Sequence, residues 1–425
     1  MPAGGGVRAL LANRRFLALW SAQILTQVAG NAALYALTLL VFADSGRSST
    51  AVSFLFIAFL VPAVVLSLPA GVIVDRVDRR LVLVVSNGLR AAAFAAILVA
   101  PGELVLVYVA VLVVAAATTL FIPAEAAMIP RVTAPDQLLA ANGLFTFTLQ
   151  AAFAAGFAVV GPLAVTVAGP AATVGLAAIL YLVATVLCLI LPSARAESGE
   201  GRRSVRREIM EGIVVVRTDA LVRWPLILLA WTASLIGIVG VVGPELAVEV
   251  LGLRESDFIL LVLPIAGGLV LGIGFIAVAG TRVPRRALIL FGLAGLTVGL
   301  VLLALIRTIG DLVGGSPTML VAIAIPVTAL FGAAYPLVAA PAQTILQEVL
   351  ADELRGRVFS VLNAFVSAAS LVPILIVGPA ADAMGIPAVV GACAVVTVLL
   401  LIRSIVAAPA LRPHDPAASD PGRSR

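Results

Sequence analysis

The sequence predicts an all-α protein embedded in a membrane, with twelve spanning helices arranged as two pseudo-symmetric six-helix bundles. Three observations predict it. First, 62% of the 425 residues are hydrophobic and 12% are charged, whereas soluble domains run at roughly 45–50% and about 25%. At a mean hydropathy of +1.18 too few polar residues remain to cover a water-facing surface. Second, apolar runs long enough to span a bilayer recur along the whole chain. Third, two pairs of short motifs repeat about half a chain apart.

A spanning helix needs about 20 apolar residues, because the hydrocarbon core is about 30 Å thick and a helix rises about 1.5 Å per residue. The runs that qualify are 16–43, 50–74, 81–101, 104–128, 139–166, 171–192, 223–250, 257–280, 286–307, 318–346, 358–381 and 385–407. The first and tenth are long enough to tilt or protrude. Irregular backbone or an open sheet edge facing lipid would leave peptide groups unsatisfied, and barrel strands would alternate in polarity, which these runs do not.

The basic residues orient the bundle. All 27 are arginine, and with the N-terminus in the cytoplasm every one falls in a tail or an inner loop except Arg47, Arg254 and Arg307 outside and Arg90 within the third helix. A multi-pass protein of the bacterial inner membrane, with both termini cytoplasmic, is therefore expected. The net charge of +5 is scattered between apolar runs, so it marks topology and not a nucleic-acid partner. Met1 to Asn13 lead into an apolar run without a small-residue cleavage site, so no removable signal peptide is expected.

The domain division follows. Residues 1–192 form an N-terminal bundle, 193–221 a cytoplasmic linker, 222–407 a C-terminal bundle and 408–425 a disordered tail rich in Pro, Asp and Ser. The second part of the linker, around Arg206 to Arg217, is expected to form an amphipathic helix on the anionic inner leaflet. Pro123-Ala124-Glu125 in the fourth helix is matched by Pro341-Ala342-Gln343 in the tenth, and Gly161-Pro162 in the fifth by Gly378-Pro379 in the eleventh. Repeats related by an axis along the membrane normal are the plan of a two-bundle carrier with its substrate between the bundles.

The loop between the second and third helices reads Gly71-Val72-Ile73-Val74-Asp75-Arg76-Val77-Asp78-Arg79-Arg80. Glycine allows close helix approach, aspartate can pair with an arginine or cap a helix, and the arginines hold the loop at the cytoplasmic surface. This loop resembles the signature of the major facilitator superfamily. The resemblance implies a conformational latch of Gly71, Asp75, Arg76, Arg79 and Arg80, with Arg131 and Arg357, that holds the halves together on the inside in the outward-facing state. Asp78 stands where many members have a second glycine, and the second-half loop, Arg282 to Arg286, keeps the basic pair without the acid, so any latch is asymmetric.

Further stretches resemble the drug, macrolide and siderophore exporters of that superfamily. They are Phe121-Ile122-Pro123-Ala124 through Ala141-Asn142, Glu211-Gly212, and Arg355-Gly356-Arg357-Val358 leading to Gly378-Pro379 and Asp382. Gly156 with Gly161-Pro162 is a partial copy of the antiporter motif and equally a structural kink, as is Gly378-Pro379.

Charges inside a membrane cost about 2.5–3.5 kcal/mol on insertion scales, so each is a functional candidate. Glu125, roughly two turns inside the inner end of the fourth helix, is the candidate proton-coupling carboxylate, with Arg90 as its ion-pair partner. The competing reading has Arg90 snorkelling to a headgroup and Glu125 joining the latch through Arg131. Gln23, Gln27, Asn31 and Tyr35 are spaced to share one face of the first helix, as a substrate cavity or as bonds between packed helices. Gln150, Trp231, Tyr335 and Asn363 are further cavity candidates.

The expected function is secondary active transport, as proton-coupled export of a hydrophobic or amphipathic small molecule. The alternative is a narrow-substrate importer or uniporter. A membrane-embedded enzyme finds no support: the one histidine, His414, sits in the tail, no phosphate-binding loop is present, and Cys188 and Cys393 lack metal-ligand spacing. No cofactor, metal or nucleotide is expected beyond the proton gradient, and one chain holding both halves suffices as a monomer.

Overall fold

A computed structural model describes residues 10–194, 220–280, 282–312, 316–349 and 355–406. Among the described residues twelve long helices carry the fold: α1 (Arg14–Asp44), α2 (Ser49–Val74), α3 (Arg79–Val99), α4 (Leu104–Val132), α5 (Leu138–Ala155), α6 (Gly161–Leu189), α7 (Ala220–Glu245), α8 (Ile259–Ala279), α9 (Arg285–Ala304), α10 (Pro317–Val349), α11 (Arg355–Met384) and α12 (Ile386–Val406), with a short helix, Ile306–Leu312, between α9 and α10. No strand occurs among the described residues. The predicted amphipathic segment of the linker and the predicted tail lie outside them.

Eleven of the helices among the described residues are long and apolar enough to cross a membrane, one fewer than the sequence predicts. The difference lies at α5 and α6. A π turn, Gly156–Val160, joins α5 directly to α6, and α6 is broken at Gly169, where φ is 86° and ψ 166°. The fifth crossing is therefore α5, the π turn and α6 up to the break, and Pro170 starts the sixth. Pro162 forces the π turn, since it has no N–H to close a regular turn, and the Gly161 amide bonds instead to the Gly156 carbonyl.

The helix ends show why the turns fall where they do. Asn13 caps α1 by accepting from the Arg15 and Phe16 amides, and its Nδ2 donates to the Val132 carbonyl at the end of α4. Ser48 caps α2 after a turn in which Gly46 and Arg47 take positive φ. Asp78 caps α3.

Within the first half α1 packs on α5 and α6, α2 on α4, and α3 on α4 and α6; within the second, α10 packs on α7, α8 and α9, α9 on α12, and α7 on α11. The halves meet chiefly along α2 and α11. One buried apolar core includes Tyr35, Phe56, Leu235 and Phe258 and so runs across both halves. A second, built on Phe16, Phe121, Met128 and Cys188, stays within the first half. Large apolar side chains such as Val99, Leu139, Phe147, Val278 and Phe291 point outward, as a lipid-facing surface requires.

Candidate functional site

Small residues bring the seam between the halves together. At Gly378 of α11 an added Cβ would lie 2.2 Å from Ser53 Oγ and 2.6 Å from the Ser49 carbonyl, and at Gly240 of α7 it would lie 2.3 Å from the Phe56 ring. Beyond Gly378, Asp382 meets the first turn of α2. Its carboxylate accepts from the Ser48 hydroxyl at 2.7 Å and from the Ser49 and Thr50 amides at 2.8 and 3.1 Å. The Ser49 hydroxyl donates to Glu245 of α7. These hydrogen bonds join the halves at the end that carries the α1–α2 turn.

The opposite end, with the α2–α3 turn, holds the predicted latch. Asp75, Arg76 and Arg131 are exposed, and Arg79 and Arg80 are half-buried. The expected close approach at Gly71 is absent: a Cβ there would meet nothing within 4 Å. The glycine faces open space. The Arg357 side chain lies outside the described residues.

Asp78, passed over in the sequence as a departure, makes the contacts here. It caps α3 at Arg80 and accepts from the Ser193 hydroxyl and the Ala194 amide, while the Arg79 amide donates to the Ala194 carbonyl. Partial burial alone would raise the Asp78 carboxyl, but the bonds from Ser193, Ala194 and Arg80 outweigh it and hold the group below its ordinary range. An aspartate directly before an arginine-led apolar run is an N-cap signal, and that pattern was available to find it. In the second half, Arg285 makes a bidentate pair with Glu348 instead.

Inside the first half, Arg90 is 2% exposed and Glu125 7%. The ion pair expected between them is not formed. The guanidinium lies over the rings of Phe121 at 4.5 Å and Tyr181 at 5.4 Å and donates to the Ala117 carbonyl at 3.2 Å. Aromatic faces and a carbonyl thus satisfy part of a buried cation and draw it off the carboxylate. Arg90 Nε and Glu125 Oε1 remain buried without partners.

The predicted polar face of α1 divides three ways. Gln23 donates to the Phe145 carbonyl of α5 at 3.3 Å. Gln27 and Asn31 line a cavity of about 70 Å³ together with Arg90, Thr118 and Tyr181. Tyr35 is fully buried, stacked on Phe258 of the other half and edge-on to Phe157. A drift of about 40° at each four-residue step fans the side chains onto different neighbours.

Trp231 bonds inside its own half, its Nε1 donating to Thr397 at 3.1 Å, and Tyr335 of α10 is half-buried. The side chains of Gln150 and Asn363 lie outside the described residues. Gly161 presses on α1, where a Cβ would sit 3.0 Å from the Tyr35 Cβ. α11, by contrast, runs as unbroken helix across Gly378-Pro379, so that pair serves contact between the halves and not a break in the helix. Thr118, Tyr181, Phe258, Asp382 and the serines of α2 are site residues that no sequence motif marked as a group.

Comparison with known proteins agrees with this architecture. Residues 19–373 match the family description Major Facilitator Superfamily. No curated protein matches the chain in sequence. Among solved structures it is similar to the nucleoside transporter NupG, at 12% identity and a TM-score of 0.75 over 93% of this chain and 99% of that one. It is also similar to a bacterial homologue of the human lysosomal transporter Spinster, at 15% identity and 0.69 over 97% and 98%. A peptide transporter, POT, follows at 16% identity and 0.68 over 93% and 95%. At these identities the likeness is one of fold.

Proposed function

Because the chain belongs to the Major Facilitator Superfamily, we propose that it is a secondary active transporter that exports hydrophobic or amphipathic small molecules by alternating access, driven by the proton gradient. The observation that carries this reading is the uneven seam. The halves are hydrogen-bonded at the α1–α2 end, whereas at the α2–α3 end the apolar core stays within the first half. With the arginine-rich loops taken to lie inside, the uneven seam supports the reading of a carrier closed to the outside.

Glu125 is the proton carrier in this proposal. It is buried, one of its oxygens lacks a partner, and Arg90 is within reach of its charge. Protonation would satisfy a carboxyl that lipid and packed helices leave unsolvated. Gln27, Asn31 and Thr118 supply the sparse hydrogen bonding that suits an amphipathic cargo. The protein acts as a monomer in the bacterial inner membrane with both termini cytoplasmic, and no cofactor takes part.

A narrow-substrate importer is the second reading. The pocket's guanidinium favours it, since a polar solute would use that group more fully than a lipophilic one. The deciding experiment measures accumulation of a panel of lipophilic fluorescent dyes in cells expressing the protein, with and without an uncoupler. Lower accumulation that the uncoupler abolishes supports export. No difference across the panel rejects broad dye export.

A further inference from the structure

The cluster at the α1–α2 end contains more than a static contact. Asp382 belongs to α11 in the second half, yet its three acceptor bonds are with the first turn of α2 in the first half. It therefore occupies the place of an N-cap, with both oxygens engaged and its charge at the positive end of a helix dipole.

α2 also carries its own cap: Ser48 Oγ accepts from the Ala51 amide at 3.3 Å. The helix start is thus provided for within its own half, and withdrawing Asp382 would leave α2 intact. One turn before it, Gly378 removes side chains from the contact, so that the two helices meet without interlocking. A dispensable charged cap on a smooth contact face is suited to forming and breaking.

We propose that Asp382 is the gate residue that holds the α1–α2 end of the two halves shut, as an N-cap supplied by the other half. Removing the charge removes the attraction to the helix end, and an asparagine there would bring an N–H donor with no acceptor among the two amides. The charged side chains at this end include Glu245 on α7 and Glu249 in the turn after it, Asp44 at the end of α1, Arg47 in the α1–α2 turn, Glu103 before α4, Arg254 paired with Asp257 before α8, Asp311 before α10, and Arg307, which donates to the Glu249 carbonyl. Glu245 adds a second acceptor for Ser49, so the two acids share the first turn of α2. This inference rests on the reading of the halves as rocking bodies, and its test separates the two.

Spin labels placed at Val105→Cys and Leu312→Cys, both exposed at this end, in a Cys188→Ala, Cys393→Ala background, report the separation of the halves by pulsed electron resonance in lipid nanodiscs. The native carboxylate should give mainly the short distance at pH 7.5. Asp382→Asn should raise the long-distance population about fivefold, the scale of a lost cap. Asp382→Glu should restore the short distance, and Glu103→Gln, an exposed acid at the same end, should leave it unchanged.

If Asp382→Asn is not monodisperse, Ser48→Ala should give a smaller shift of the same sign. Unchanged distances in folded Asp382→Asn, or in Ser48→Ala as its substitute, overturn the gate. Opening that follows the proposal in a protein that exports no dye counts against the export reading alone.

Discussion

Tyr35 lies flat against Phe258 across the seam between the halves, with ring centroids 5.6 Å apart and planes at 8°. Phe258 closes a short turn, Glu255–Phe258, and is held from behind by Gly243, where a Cβ would come within 2.6 Å of its ring. The stack is thus an apolar plug that accompanies the Asp382 contacts. Replacing Phe258 by alanine should remove stacking of about 0.5–1.5 kcal/mol beyond the area lost. The expected outcome is a several-fold larger population open at the α1–α2 end, read by labelling of a cysteine at Asn31, which lines the cavity, with a membrane-impermeant maleimide from outside. No added labelling would deny the plug its role.

Asp78 predicts a pH effect of defined sign. Its carboxyl titrates below the ordinary aspartate value of about 3.9. The clamp on Ser193 and Ala194 should therefore be complete at neutral pH and weaken only as pH falls below that value. Asp78→Asn should loosen the clamp at pH 7, seen as faster amide exchange at Ala194 with little change in the rest of α3. The contact is largely exposed, so the effect on global stability should be small.

Two glycines with opposite surroundings give a paired test of packing. At Gly156 a Cβ would fall 2.7 Å from the Asn31 Cβ and 2.9 Å from the Val28 carbonyl, while at Gly71 it would meet nothing within 4 Å. Gly156→Ala should destabilise the detergent-solubilised protein by about 1–3 kcal/mol. Gly71→Ala should leave stability unchanged or slightly raised, as a helical alanine favours. Thermal unfolding of the two variants side by side checks both.

Glu125→Gln keeps the side chain's shape and removes its ionisation. If Glu125 carries the proton, dye extrusion driven by the proton gradient should fall at least tenfold, while substrate exchange without a gradient should persist. Proton flux unchanged in reconstituted vesicles would assign coupling elsewhere, with Glu245 as the next carboxylate to test.

Much of the architecture was legible because lipid imposes a strong rule on sequence. Runs of apolar residues had to be helices, and the predicted break between 166 and 171 falls where Gly169 leaves helical geometry. The α2–α3 loop stood out by its glycine, acid and basic pair, whereas the clamp made by Asp78 was missed because its partner Ser193 is 115 residues away. Arg90 and Glu125 were found as costly charges, but opposite charge alone implied a pairing that the Phe121 and Tyr181 rings prevent.

By itself the sequence determined membrane residence, the two-half plan, the positions of most turns and the identity of the buried charges, because hydropathy, capping residues and glycine-proline pairs act over a few residues. Only the tertiary structure decided which face each polar residue of α1 meets and which end of the seam is closed. It also showed that Asp382 reaches α2, since contacts more than 330 residues apart depend on helix rotation and packing that local chemistry does not encode.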